Sequence, residues 1–188
     1  MRYPPKIGQI ILSAYGLLAA GVLVAGSPAG QSDRPLVGPA ERQASAEEPM
    51  RTYKNNKFEF QVDYAAFLRG AGESQSGDGQ DFETSRSADG SMTMVVFGSP
   101  NTTGATIEQL RDEFVTGDGS SKRKITQSVV SRPPEKWFIV SGKEDEEIFY
   151  RKVILKRNDV IVTLHFTYPD AAKDRYNPVV AATQRSLQ

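Results

Sequence analysis

The chain has 188 residues, contains no cysteine, and balances 23 lysines and arginines against 23 aspartates and glutamates. The lack of cysteine excludes disulfides, thiolate zinc sites and a lipoprotein anchor, and the single histidine excludes a metal site built from several histidines. The balanced charge gives no electrostatic basis for binding nucleic acid or an anionic membrane surface. We therefore expect no nucleic-acid partner and no cofactor.

The first 29 residues have the layout of a secretory signal. Arg2 and Lys6 precede an uncharged, apolar run over residues 7–26, and small residues follow it up to Gly30. A basic end, an apolar middle and a small-residue cleavage site are typical of a signal peptide, but a helix of about 20 residues can also span a bilayer. Residues 1–29 are thus a signal peptide or a membrane anchor. Either interpretation predicts an exported protein, in the periplasm or at the extracytoplasmic face of the membrane. Such a protein contacts the membrane only if residues 1–29 are retained.

A polar linker follows the N-terminal segment. Residues 30–51 are rich in Ser, Pro, Ala, Gly and Glu, and their only large apolar side chains are Leu36, Val37 and Met50. Such a segment cannot bury a core, so we expect a flexible linker. The folded part is then predicted to cover residues 52–188, which is the size of one ordinary domain.

The first part of this domain carries a weak β signal. Alternating apolar residues over 58–62 predict a short, half-buried strand. Residues 65–68 are predicted to form one helical turn, and the Gly/Ser/Asp-rich residues 70–79 to form a loop. Segments 81–87 and 91–98 alternate around a Gly-containing turn, which predicts a hairpin.

A helix and a strand are predicted next. Over residues 106–116 apolar side chains recur at helical spacing, Thr106 is suited to the N-cap, and Gly117 ends the segment. The helix should lay one apolar stripe on the sheet. Residues 124–131 are predicted to form a further strand, which ends before two prolines.

The strongest β signal lies between residues 135 and 170. Segments 136–142, 147–157 and 160–168 are predicted as three strands joined by short polar turns, one of them a tight turn at Asn158 and Asp159, so we expect an antiparallel meander. The middle strand has apolar residues on both parities and should be covered on both faces. A last helix is predicted after the meander, with Pro178 as the point where it kinks or restarts.

Several short motifs occur in a characteristic order. After Tyr53 they are FEFQVDY at 58–64, GDGQDF at 77–82, WFIVSG at 137–142, FYRK at 149–152 and FTYP at 166–169. This order resembles the bacterial exported branch of the PsbP/Mog1-like family. The resemblance implies an α+β fold in which helices flank a central antiparallel sheet, an α/β/α sandwich. Where the family often has Tyr-Pro after the first strand, this chain has Tyr64 and Ala65.

The resemblance also implies a kind of function. Members of the family with known roles bind other proteins: one type docks onto photosystem II and another onto a small GTPase. No shared catalytic residues can be carried over onto this sequence. The resemblance therefore favours a binding protein over an enzyme.

Four side chains of the meander are candidates for binding a partner or ligand: Trp137, Tyr150, Arg151 and His165. Trp137 is expected in the core rather than as an exposed anchor. Arg151 and Lys152 interrupt an apolar strand, so whichever points inward must find a partner or extend toward solvent. His165 is interpreted as a half-buried structural residue rather than a general base, because no nucleophile motif accompanies it.

Carboxylates on glycine-rich turns suggest a weak metal candidate. Asp78 and Asp81 have the ligand chemistry that calcium prefers, but the spacing of an EF-hand is missing. Solvated turns are the favoured interpretation. The acidic residues 144–147 and the basic residues 122–124 are likewise expected to be solvated, or to belong to a partner's footprint.

We therefore expect a non-catalytic, exported accessory protein that binds an envelope protein through its sheet domain. The first alternative is a small-ligand-binding or hydrolytic domain with a cleft on the sheet face near Tyr150 and His165. The second alternative is a calcium-stabilised module that uses Asp78 and Asp81.

Overall fold

A computed structural model of the chain describes residues 49–84, 91–117 and 122–188. The predicted signal peptide or anchor over residues 1–29, the linker up to residue 48 and the predicted turn at residues 88–90 lie outside the described residues. The first strand begins at Met50, two residues before the predicted start of the domain. No helix within the described ranges is both long and apolar enough to cross a membrane.

The described residues form strands and two longer helices. In chain order they are β1 (Met50–Asn55), β2 (Phe60–Ala65), β3 (Leu68–Glu73), β4 (Gly79–Thr84), β5 (Thr93–Pro100), α1 (Ile107–Thr116), β6 (Lys124–Val130), β7 (Trp137–Glu144), β8 (Glu147–Lys156), β9 (Val160–Pro169), a 3-10 turn (Asp170–Ala172) and α2 (Lys173–Ser186).

Strands β3 to β9 build one antiparallel sheet in the order β3-β4-β5-β9-β8-β7-β6, while β1 and β2 form a separate hairpin. The predicted meander is confirmed as β7-β8-β9, and the predicted hairpin as β4-β5. The turn between β8 and β9 differs from its prediction. Lys156 pairs with Val160, which leaves three connecting residues, and Arg157 and Asn158 both have positive φ.

The two longer helices lie on opposite faces of this sheet. Successive side chains of a strand point to opposite faces, and α1 packs on one set of alternating residues, which includes Phe138, Val140 and Val153. The other set, which includes Leu164 and Phe166, packs with α2 and the β1-β2 hairpin. The predicted α+β sandwich is confirmed.

Local capping explains where α1 begins and ends. Thr106 Oγ1 accepts a hydrogen bond from the Gln109 N–H at 3.3 Å, and the Thr106 N–H donates to Gln109 Oε1 at 2.8 Å. This capping box satisfies two donors that the first helical turn leaves without partners. At the other end Gly117 has a positive φ of 54°, a conformation that glycine adopts without a steric penalty.

Two predictions for the first part of the domain are wrong and a third is wrong in part. Residues 65–68 are not a helical turn, because they connect the end of β2 to the start of β3. The first predicted strand is shifted, because Phe58 lies in the turn before β2. Of the predicted loop over 70–79, residues 70–73 belong to β3, while residues 74–78 connect β3 to β4. Pairing with β4 therefore overrides the weak strand propensity of the glycine-rich β3.

The last helix does not restart at its proline. Pro178 lies inside α2, which continues from Lys173 to Ser186. Tyr176 and Val179, on either side of this proline, are both buried against the core. Packing of this apolar face stabilises the helix despite the backbone hydrogen bond that proline cannot make. Just before this helix, Ala172 is buried and Ala171 is exposed.

Candidate binding cleft

The candidate site begins with a pair of residues on the central strands. Arg151 on β8 lies directly opposite His165 on β9, and both side chains project toward the α1 face. Tyr150 lies opposite Phe166 instead, with ring centroids 6.4 Å apart, and therefore projects toward the α2 face. The expected cleft containing both Tyr150 and His165 is wrong, since the two side chains are on opposite faces of the sheet.

Two arginines flank one aromatic ring at this site. The Arg151 guanidinium carbon lies 4.0 Å from the centroid of the Phe114 ring on α1, and that of Arg123 lies 4.9 Å from the same centroid. Both distances are within the range of cation–π attraction. The ring thus attracts two positive charges that also repel each other.

The two arginines differ in their partners. Arg123 Nε donates to Glu144 Oε2 at 3.0 Å, which forms an ion pair. Arg151 forms no ion pair with any carboxylate of the described residues, and its Nε is fully buried without an acceptor. The Arg151 charge is therefore the one that the described protein atoms leave uncompensated.

Burial changes the pKa values of this pair. Burial, and then the nearby Arg123, lower the pKa of Arg151 to about 10, so the guanidinium stays charged at neutral pH. Burial, followed by the charges of Arg151 and Arg123, lowers the pKa of His165 to about 3. His165 is thus neutral at physiological pH, and its Nδ1 is buried without a partner. A general base needs a pKa near the working pH, so this histidine does not suit the hydrolytic alternative.

A cavity of about 310 Å³ opens between α1 and the sheet beside Arg151. We call it the α1 cleft. Its apolar wall consists of Leu110, Phe114, Phe138, Val153 and Ile161, and its polar groups are Glu113, Arg123, Arg151 and Thr163, with Gly117 at one end. Beyond the cleft the same sheet face continues over β5, where the half-buried Val95 and Phe97 lie opposite His165 and Thr163.

The candidate Trp137 faces away from the α1 cleft, as does Lys152. Trp137 is half-buried rather than packed in the core, and its indole N–H donates to Glu135 Oε2 at 2.7 Å. It lies opposite Ile154, on the α2 face. Lys152 also points to that face, where its ammonium donates to the Gln184 carbonyl at 2.6 Å. Of the two charges on β8, Lys152 therefore has a hydrogen-bond acceptor, whereas Arg151 has the Phe114 ring and no carboxylate of the described residues.

The acidic turn does not form a calcium cage. Asp78 Oδ1 lies 2.5 Å from Lys57 Nζ, and the hydrogen bond from Lys57 is the main reason why the pKa of Asp78 is lowered. Asp81 is exposed on β4. Among the residues that the structure describes, no group of three or more acidic or histidine side chains is placed to hold a metal ion.

Among the residues that line the cleft, the sequence singled out only Arg151 as a candidate. Phe114 was predicted only as part of the apolar stripe of α1, Arg123 only as part of a basic run, and Thr163 only as a residue of β9. A two-residue spacing links Thr163 to His165, which places them on one face. No local pattern indicates that Phe114 and Arg123 meet Arg151, because they are brought there by α1 and the edge of the sheet.

Comparison with known proteins supports the fold. No family model matches the chain, and no curated protein matches it. Among solved structures, cyanobacterial PsbP (CyanoP) from Synechocystis sp. PCC 6803 is similar, with a TM-score of 0.56 and 12% sequence identity over 84% of this chain and 97% of that chain. The chain therefore has a PsbP-like fold, as the order of its motifs predicts.

Proposed function

We propose that this chain is a non-catalytic accessory protein of the cell envelope, exported by its N-terminal segment, which binds a protein partner through its sheet domain. The observation that carries the proposal is the PsbP-like fold, which extends over 97% of the solved cyanobacterial PsbP chain. One fold can host many functions. The fold therefore favours an accessory protein in general, and the partner must be inferred from the exposed surface. The signal-like layout of residues 1–29 supports export.

The α1 face of the sheet is the surface that best suits a partner. Val95 and Phe97 give it half-buried apolar area, and Arg151 adds a positive charge beside them. Apolar and aromatic anchors next to an arginine are the residue types that contribute most to protein interfaces. His165 lies between them and is neutral. We infer that it forms part of the contact surface and transfers no proton.

In-cell photo-crosslinking tests this proposal. A photoreactive residue at Phe97 samples the α1 face, and one at Val129 on β6, which is 41% exposed, serves as a matched control on the α2 face. We expect one reproducible protein partner from Phe97, identified by mass spectrometry, and little capture from Val129. Failure of both positions to capture a protein would contradict the binding role, whereas capture only from Val129 would contradict the choice of face.

The same preparation tests export. Sequencing of the N-terminal peptide of the native protein should show cleavage near the small residues at 26–30, or an intact N-terminus in the membrane fraction. An intact chain in the cytosolic fraction would contradict the envelope location.

A further inference from the structure

We propose that the α1 cleft binds a carboxylate group carried on a small apolar body. The inference deepens the proposed binding role, because it names the chemistry that this face recognises. It depends on the residues of the cleft, so an experiment can contradict carboxylate binding without contradicting the proposed protein partner, and the reverse.

Arg151 carries a charge that no carboxylate of the described residues compensates. A charged group taken out of water needs an opposite charge or several hydrogen bonds, otherwise it destabilises the fold. Arg123 has Glu144 as a partner, but Arg151 has no carboxylate partner among the described side chains. Because Arg151 borders the cleft, an anion bound there would supply the missing charge.

The guanidinium itself suits a carboxylate. Its carbon lies 4.0 Å from the centroid of the Phe114 ring, and this contact helps to hold the side chain beside the cleft. Because Nε is buried, the two terminal amino groups are the donors that remain for a ligand, and the planar fork of a guanidinium matches the two oxygens of a carboxylate.

The composition and size of the cleft also suit such a ligand. Leucine, phenylalanine, valine and isoleucine make up half of its lining residues, and Thr163 lies on the same surface. A volume of about 310 Å³ is at the lower end for small-molecule sites. The space suits an anion with a short apolar chain or ring, or the side chain of one protein residue beside its carboxylate.

The exposed Glu113 at the cleft restricts the charge of the ligand. Glu113 lines the same space as Arg151, and a second negative charge on a ligand would be repelled by its carboxylate. His165 is neutral and adds no positive charge. The cleft thus favours a singly charged carboxylate over a phosphate dianion. Its source is either a free small acid or an acidic group of the protein partner.

Titration of the full chain with hexanoate, followed by amide NMR, tests the site. We expect shifts at Leu110, Val153 and Thr163, and weaker or no shifts with hexanamide, which has the same apolar chain without the charge. Arg151→Gln should weaken hexanoate binding about tenfold or more, because a charge-assisted hydrogen-bond pair is lost. Arg157→Gln is the matched control, since it removes an exposed arginine just after the same strand, and it should bind hexanoate as the wild type does.

Three results would overturn the inference. These are the lack of shifts in the cleft at millimolar hexanoate, equal binding of hexanoate and hexanamide, and undiminished binding by an Arg151→Gln variant whose amide spectrum shows that it is folded. Arg151→Lys gives a second test, because it keeps the charge without the planar fork. We expect intermediate affinity for this variant.

Crosslinking in the presence of hexanoate distinguishes the source of the carboxylate. If the carboxylate belongs to the partner, hexanoate and Arg151→Gln should both reduce capture at Phe97. If it belongs to a free acid, capture should persist while hexanoate still binds. Both results would support carboxylate binding in the α1 cleft. Capture without any hexanoate binding contradicts this inference alone, and hexanoate binding without any captured protein contradicts the proposed partner alone.

Discussion

Arg151 and His165 lie directly opposite each other on β8 and β9, with both side chains on the α1 face of the sheet. Burial, reinforced by this pairing, keeps the histidine neutral. Burial disfavours its charged form, and the neighbouring guanidinium repels the additional proton. The result is a surface with a fixed positive charge beside an uncharged imidazole over the physiological range of pH.

The lowered pKa of His165 predicts a dependence of stability on pH. The folded-state pKa, about 3, is below the ordinary value of 6.5, so the unfolded chain takes up this proton first as the pH falls. The free energy of unfolding should therefore decrease between pH 6.5 and pH 3. His165→Gln should show a smaller decrease, measured by urea unfolding at a series of pH values. An imidazole NMR signal that titrates near 6.5 in the folded protein would contradict this prediction.

Replacing Phe114 should destabilise the domain. Its half-buried ring contacts both guanidinium groups and also lies edge-on to Phe149 at 6.1 Å. Phe114→Ala removes apolar burial and exposes the two like charges to each other, so we expect a loss of about 2 kcal/mol in urea unfolding. Val115→Ala is the control, since Val115 is 39% exposed and should change stability by less than about 0.5 kcal/mol. Equal losses of unfolding free energy in the two variants would show that the Phe114 ring does not stabilise the arginine pair.

Asn55 should be essential for attaching the β1-β2 hairpin. It is 2% exposed, and its amide donates to Glu73 Oε1 at 3.0 Å and to the Gly77 carbonyl at 2.9 Å, while its oxygen accepts from the Phe58 N–H at 2.9 Å. Asn55→Ala removes this buried amide and leaves the half-buried Gly77 carbonyl and Phe58 N–H without their partner, which should cost about 2 kcal/mol.

The neighbouring Asn56 provides the control for this prediction. It is exposed, so Asn56→Ala should leave stability within about 0.5 kcal/mol of the wild type. Hydrogen exchange gives a second readout. Amides of β1 and β2 should exchange faster in Asn55→Ala than in Asn56→Ala, and unchanged protection would show that the hairpin is held by its apolar contacts alone.

Two glycines of neighbouring strands should differ in their tolerance of alanine. A Cβ at Gly79 would lie 2.1 Å from the Val96 carbonyl oxygen, whereas a Cβ at Gly70 would lie 1.7 Å from Nε2 at the end of the Gln80 side chain. Backbone cannot move out of the way as the end of a flexible side chain can. We therefore expect Gly79→Ala to lower the melting temperature clearly more than Gly70→Ala. A larger loss for Gly70→Ala would show that the Gln80 side chain is rigidly held.

The sequence by itself determined the elements whose signals are local. The alternation over 160–168 predicts β9 because one face of a strand is fully apolar, and Thr106 with Gln109 sets the start of α1 through a capping box. The order of the short motifs also predicts the PsbP-like fold, although the edge strands β1 and β3 carry too weak a pattern to be found.

Only the tertiary structure decided which residues meet. A two-residue turn at Asn158 and Asp159 would place Tyr150 opposite Thr167, on the face that also carries His165. The three-residue connection shifts the register by one, which moves Tyr150 to the other face and puts Arg151 opposite His165. A shift of one residue exchanges the two faces of a strand. The α1 cleft therefore depends on strand register and on the packing of α1, which are long-range properties that the sequence does not encode in any single segment.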